Sequence, residues 1–182
     1  MFATIYLPDF YLQAALRHQP ELRAKPVALI DDRKKKAVLI QRNAAAEQAG
    51  VQCGMTPSQG LARCLKLVVK TRTPSQEKLL QGILLHFSGT LAPYVEATGD
   101  GISTIQFTDA KNLTRKVTGV IEQLADAEIV AQAGIASTPD ASFLAAHLAK
   151  PLLQIDDANE FLAMLSIETL TMDYDGAGQI TD

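Results

Sequence analysis

The chain has 182 residues, 47% hydrophobic and 20% charged, with a net charge of −3. That is long enough for a real core, as one domain or two small ones, and the composition is that of a soluble globular protein. No overall basic charge advertises nucleic-acid binding, and no apolar run approaches the roughly 18 residues of a membrane-spanning helix. The N-terminus has no basic stretch and no small-residue cleavage site, so no signal peptide is expected and the chain is read as cytoplasmic. Cys53 and Cys64 form no CxxC pair and have no nearby His. They are read as reduced, buried thiols.

Residues 2–7 are apolar and rich in β-formers, which predicts a buried strand. Pro8 ends it, having no N–H for a ladder bond. Asp9 is placed to cap a helix over 10–18. A strand end carrying an acidic group is a common place for metal chemistry. A polar connection leads to a strand over 26–30, a charged turn over 31–36 and a returning strand over 37–41. The basic run from Arg33 to Lys36 is read as a solvated hairpin tip in preference to a phosphate contact. Asn43 caps a helix over 44–49, and Gly50 ends it. A turn over 54–57, a helix over 58–65 and a strand over 67–70 follow. Residues from about 24 to 72 thus form a small inserted unit with its exit at Thr73-Pro74.

A longer helix is predicted from Pro74 or Ser75 to Gly89, with Leu79, Leu80, Ile83, Leu84 and Phe87 on its buried face. His86 lies beside this stripe and is read as a half-buried histidine, since no partner His or Cys is near. Strands over 93–97 and 102–107 flank the tight turn Thr98-Gly-Asp-Gly101. A helix starts at Asn112 or Thr114 and runs to about Ala125, burying Val117, Val120, Ile121 and Leu124. A strand over 128–134 and a helix over 139–150 come next, the helix with Phe143, Leu144, His147 and Leu148 inward. A short strand over 152–155, a helix over 159–165 and a polar, frayed tail over 171–182 complete the chain. Without the insert, this order suits an α+β fold of ferredoxin-like type, an antiparallel sheet with helices on one face.

Several motifs, in one order along residues 1–170, resemble the palm and fingers of Y-family translesion DNA polymerases. The opening strand with Asp9-Phe10-Tyr11 is similar to the family's first carboxylate motif. The stretch from Lys25 to Leu29 resembles a fingers strand. The most specific match runs from Ala46 through Gly50, Val51, Gly54, Met55 and Pro57 to Cys64. Glu96 with Asp100 and Gly101 sits where the second carboxylate motif belongs. Gly134-Ile-Ala136, Phe143 and Lys150-Pro151 resemble a palm segment. The resemblance implies palm over 1–23 and 74–165, fingers over 24–73, and the start of a thumb linker over 166–182. It also implies that the chain is a fragment ending before the thumb.

The departures point away from catalysis. Two-metal phosphoryl transfer needs several carboxylates converging on two cations. The position implied for the first ligand holds Leu7, and Asp9 occupies a second acidic position that the family does not use as its main ligand. The second motif reads Asp100-Gly101 with one residue dropped from the loop, or Gly101-Ile102 without a gap. The implied triphosphate contacts fall at Ala44 and Glu47, where a glutamate would repel phosphate, and the sugar-discriminating aromatic falls at Leu12. Lys150 keeps a position implied to contact phosphate, though a lysine at a helix C-terminus also suits the macrodipole. Asp9 is read as a cap before a metal ligand.

No catalytic residue, metal or cofactor is therefore expected; magnesium enters only if the chain is an enzyme using unusual ligands. Within the family the pattern resembles the inactive mutasome subunits of the ImuB type. That implies an adaptor linking an error-prone replicative-type polymerase, a RecA-like small subunit and the sliding clamp in damage-induced mutagenesis. DNA binding by this stretch alone is expected to be weak, with no membrane partner. An unrelated α+β binding module is the remaining alternative.

Overall fold

The computed structural model describes residues 1–31, 37–109 and 111–166. In chain order the first elements are β1 (Phe2–Tyr6), α1 (Phe10–Leu16), β2 (Val27–Ile30), β3 (Leu39–Arg42), α2 (Ala44–Gln48), α3 (Pro57–Arg63), β4 (Val68–Thr71) and α4 (Pro74–Gly89). They are followed by β5 (Tyr94–Gly99), β6 (Ile102–Gln106), α5 (Leu113–Asp126), β7 (Gln132–Ala136), α6 (Pro139–Leu148), β8 (Leu152–Gln154) and α7 (Ala158–Met164). By packing the described residues form two units, a large one of Met1–Pro8 with residues 79–166, and a small one of Asp9–Lys78.

The large unit is a five-stranded sheet in the order β5-β6-β1-β7-β8. β1 is central and antiparallel to both β6 and β7, and β5 is antiparallel to β6. This is the ferredoxin-like arrangement expected from the element order, extended by β8, which runs parallel to β7. Side chains alternate along β1. Ala3, Ile5 and Leu7 are fully buried on one face, in register with Ile105 and Ser103 of β6 and Ile135 and Ala133 of β7. On this face α4 is tied to the sheet by the Ser88 and Ser103 hydroxyls, 2.7 Å apart.

Thr4 and Tyr6 point to the opposite face, where α6 packs. The Thr4 and Ser142 hydroxyls are 2.8 Å apart, and the Tyr6 and His147 rings stack with centroids 4.1 Å apart. Helices therefore cover both faces, not one. α6 comes this close because β7 offers Gly134: a Cβ there would lie 2.2 Å from the Ser142 carbonyl oxygen and 2.3 Å from the Ala146 nitrogen. The helix answers with small buried residues, Ala141, Ser142, Ala145 and Ala146.

The small unit is a three-stranded sheet in the order β3-β2-β4, with β2 antiparallel to β3 and parallel to β4. Its core is Ala28, Leu39, Ala46, Val51 and Leu67. Asn43 organises it. The Asn43 Oδ1 accepts from the Ala46 N–H, capping α2 as expected, and from the Val27 N–H at the start of β2, both at 3.0 Å. Its amide donates to the Lys25 carbonyl at 2.7 Å. α3 begins with a reciprocal capping box between Thr56 and Gln59.

Several expectations are corrected. β7 starts at Gln132, not 128, because α5 closes with Glu128 in the left-handed region and the Ile129 N–H donating back to the Leu124 carbonyl. Leu79 is 48% exposed, so the buried face of α4 is narrower than its apolar stripe and centres on Leu80 and Leu84. His86 is exposed, with its ring edge against Phe87. Cys53 and Cys64 are unpaired and partly accessible, not buried. The basic tip from Arg33 to Lys36, the expected frayed tail and all but Ser166 of the thumb linker fall outside the described residues.

Candidate functional site

β1 ends against the β5–β6 turn. The Leu7 N–H donates to the Gly101 carbonyl at 2.8 Å, continuing the ladder in which Tyr6 faces Ile102. The register thus sets Gly101, not Ile102, across from Leu7. Leu7 is fully buried, and Gly101 is buried with φ of 73°, a conformation that costs other residues. Asp100 is exposed in the turn. One residue not singled out from the sequence holds this turn. The Gly101 N–H donates to the Gln81 Oε1 at 2.7 Å, and the Gln81 amide donates to the Ile102 carbonyl at 3.4 Å. Its signal is a single amide on an apolar stretch of α4.

In the small unit, Asp9 stands at the N-cap position of α1 but does not cap it. Its backbone is left-handed, with φ of 50° and ψ of 41°, and its side chain accepts no cap hydrogen bond. The Leu12 N–H in the first turn of α1 is instead satisfied by the Oε1 of Gln41, at 2.8 Å and buried. Desolvation holds the Asp9 carboxyl above its ordinary pKa, against the pull of the Arg42 guanidinium and with a push from Glu47. The residue is itself exposed, so solvent screens this and it carries no energetic weight.

Arg42 also changes the reading of Glu47. The two form an ion pair at 2.6 Å, so Glu47 does not present a lone negative charge. Arg42 also donates to the Cys53 sulfur at 3.2 Å, while its Nε is buried without a partner. Ala44 is exposed and Leu12 is 4% exposed. A second cationic centre, also not foreseen, is Arg72. It forms a two-pronged pair with Glu77, at 2.9 and 2.6 Å, lies 3.7 Å from an Asp31 oxygen, and stacks 3.6 Å above the Tyr11 ring. Lys150 is exposed, two residues beyond the last turn of α6.

Among the described residues, no three His, Cys, Asp or Glu side chains are grouped to hold a metal ion. Leu7 has no donor atom and Gly101 no side chain, so the donor set does not fit a two-magnesium centre.

The family model described as impB/mucB/samB matches residues 5–147. The chain belongs to the impB/mucB/samB family. The chain is similar to DNA polymerase IV of Legionella pneumophila (strain Paris), 24% identical over 173 residues, which cover 88% of this chain and 48% of that protein. DNA polymerase IV of Shewanella pealeana is 25% identical over 184 residues, covering 94% of this chain and 49% of its own. The chain spans about half the length of these relatives. Among solved structures, a post-insertion binary complex of Dbh DNA polymerase superposes with a TM-score of 0.82 at 16% identity, over 92% of this chain and 52% of that one. DinB from Sulfolobus solfataricus gives 0.77 at 14%, over 98% and 58%. The fold of this impB/mucB/samB member is thus that of the Y-family palm and fingers.

Proposed function

We propose that the chain is a non-catalytic polymerase-like adaptor in damage-induced translesion synthesis, of the ImuB type. One observation carries this reading. The strand end and the turn that face each other, at positions implied for metal ligands, hold a buried leucine and a left-handed glycine joined by a backbone hydrogen bond. The frame for two-metal chemistry is kept, and its donors are not. The expected partners of the parent protein are an error-prone replicative-type polymerase, a RecA-like small subunit and the sliding clamp. Capture from a damage-induced extract by the parent protein tests them; recovery of none of the three overturns the adaptor role.

Primer extension with magnesium or manganese is expected to give no incorporation. Incorporation that persists in preparations free of host polymerases, and is lost in Asp100→Ala, favours the second reading. That reading is a weakly active nucleotidyltransferase. It draws on the relatives named DNA polymerase IV and on the two carboxylates, Asp9 and Asp100, that remain.

A further inference from the structure

The large unit, taken by itself, is acidic. Residues 1–8 with 79–166 hold 4 Lys and Arg against 10 Asp and Glu, a net of −6. Three of the four cations, Lys111, Arg115 and Lys116, fall within six consecutive positions at the start of α5. They do not serve the helix. A cation near a helix N-terminus opposes the macrodipole, and the first turn of α5 holds no acid to offset it. Arg115 and Lys116 are exposed and form no ion pair among the described residues.

Both line a groove of about 410 Å³ between the residues that close α4 and the outer side of α5. Its α5 wall is one helical stripe: Asn112, Arg115, Lys116, Gly119, Val120 and Gln123 follow at the spacing of neighbours on one face. Leu91 and the buried Val120 supply its apolar floor. On the opposite wall the Thr90 hydroxyl donates to the Phe87 carbonyl at 2.6 Å, so the donors left for a ligand are the two cations and the two amides of α5. Gly119 opens the middle. A Cβ built there would meet nothing within 4 Å, so packing among the described residues does not call for glycine, which is a poorer helix residue than alanine. The volume lies near the lower end of the roughly 300–1,000 Å³ usual for ligand sites, which suits one large side chain with its flanking backbone.

We infer that this groove docks a short acidic segment of a partner protein, with one large apolar side chain over Gly119 against Leu91 and Val120, and with carboxylates on Arg115 and Lys116. Charge complementarity selects an anion. The apolar floor selects one that carries an apolar side chain, which inorganic phosphate lacks. Nucleic acid is disfavoured on two counts. No aromatic ring lines the groove for base stacking. Glu122 and Asp126 follow on the same side of α5, roughly 10 and 16 Å along its axis from the Arg115–Lys116 pair, where an extended phosphodiester would meet them. A short segment with its carboxylates beside Arg115 and Lys116 avoids both.

The test is selection from a random-sequence peptide library on the whole chain, followed by fluorescence anisotropy of the selected peptides. They are expected to place at least two Asp or Glu around a Leu, Ile, Met or Phe. R115E/K116E, which turns both attractions into repulsions, is expected to weaken their binding at least about tenfold. G119L, which fills the groove, is expected to weaken it as much while melting no lower than the unaltered chain, since leucine is the better helix residue. K25E, in the small unit, is expected to stay within about twofold. Selected peptides without acidic residues, binding that survives both groove variants, or an equal loss in K25E overturns the inference. Displacement of the peptides by single-stranded DNA of equal charge overturns it in favour of nucleic acid, and displacement by inorganic phosphate in favour of a small-anion site. Should either groove variant lose its native circular dichroism, R115Q/K116Q decides, with a loss of about fivefold expected and none refuting. The inference does not rest on the adaptor reading: a chain active in primer extension that docks such peptides here refutes that reading and leaves this one standing.

Discussion

Leu7→Asp places at the end of β1 the acid that the family resemblance implies there, and its cost measures how poorly that position takes a charge. Leu7 is fully buried, so removing its side chain alone, as in Leu7→Ala, costs about 3 kcal/mol. An aspartate adds a carboxyl to a fully buried position. Burial raises its folded pKa above the unfolded value of about 3.9, and a rise of about three units corresponds to about 4 kcal/mol at neutral pH. Between the two pKa values the folded chain binds more protons than the unfolded one, so this penalty is absent below about pH 4 and grows as pH rises. The total near neutral pH, about 7 kcal/mol, rivals the whole stability of a domain. Urea melts of both variants at about pH 4.5 and about pH 7.5 read it. Leu7→Ala is expected to show one offset at both values, and Leu7→Asp a larger loss at the higher. A Leu7→Asp variant no less stable than the alanine one at both values, or one rescued by magnesium, would refute the reasoning, because the carboxylate would then have found water or an ion.

Three further outcomes are expected. Gly134→Ala forces a Cβ onto the α6 backbone and is expected to cost about 3 kcal/mol, whereas Gly82→Ala, with open space in α4, is expected to gain about 1 kcal/mol; thermal melts of the pair separate the two. Asn43→Ala removes the α2 cap and both loop contacts and is expected to cost about 2 kcal/mol in urea melts. Burial holds the His147 pKa below its ordinary value, despite the hydrogen bond with the Phe143 carbonyl, so the unfolded chain protonates first as pH falls. Stability is therefore expected to drop as pH falls through about 6.5, and melting temperatures of His147→Phe are expected to lack that drop.

The parts of the fold legible in the sequence were those set by local chemistry. Asn43, Gly50 and Pro74 mark helix ends through capping, left-handed backbone and a fixed φ, and the alternation in β1 marks a buried central strand. Gly134 was readable only as part of a motif, because its function is a tertiary contact with α6. At the site, that Leu7 carries no donor atom was plain from the residue itself. The facing of Leu7 and Gly101 required the register, which a loop of ambiguous length left open between two alignments. Gln41, Gln81, Arg42 and Arg72 escaped notice for one reason. Each acts on a residue at least five positions away, Gln41 on Leu12 and Gln81 on Gly101 among them, and no periodicity records such pairings. Asp9 shows the converse error: a residue of the right type at a cap position, whose left-handed backbone leaves the capping to another side chain.

Gln81 fastens the β5–β6 turn at Gly101 without a charge. An amide neither titrates nor recruits counter-ions, so this one fastening does not itself depend on pH or on divalent cations. Two carboxylates at the same place would repel each other and splay unless cations held them. A glycine fastened by an amide needs no ion to hold its place there. Placing two acids there meets two separate obstacles, since one at position 101 meets a left-handed backbone and one at position 7 a buried core.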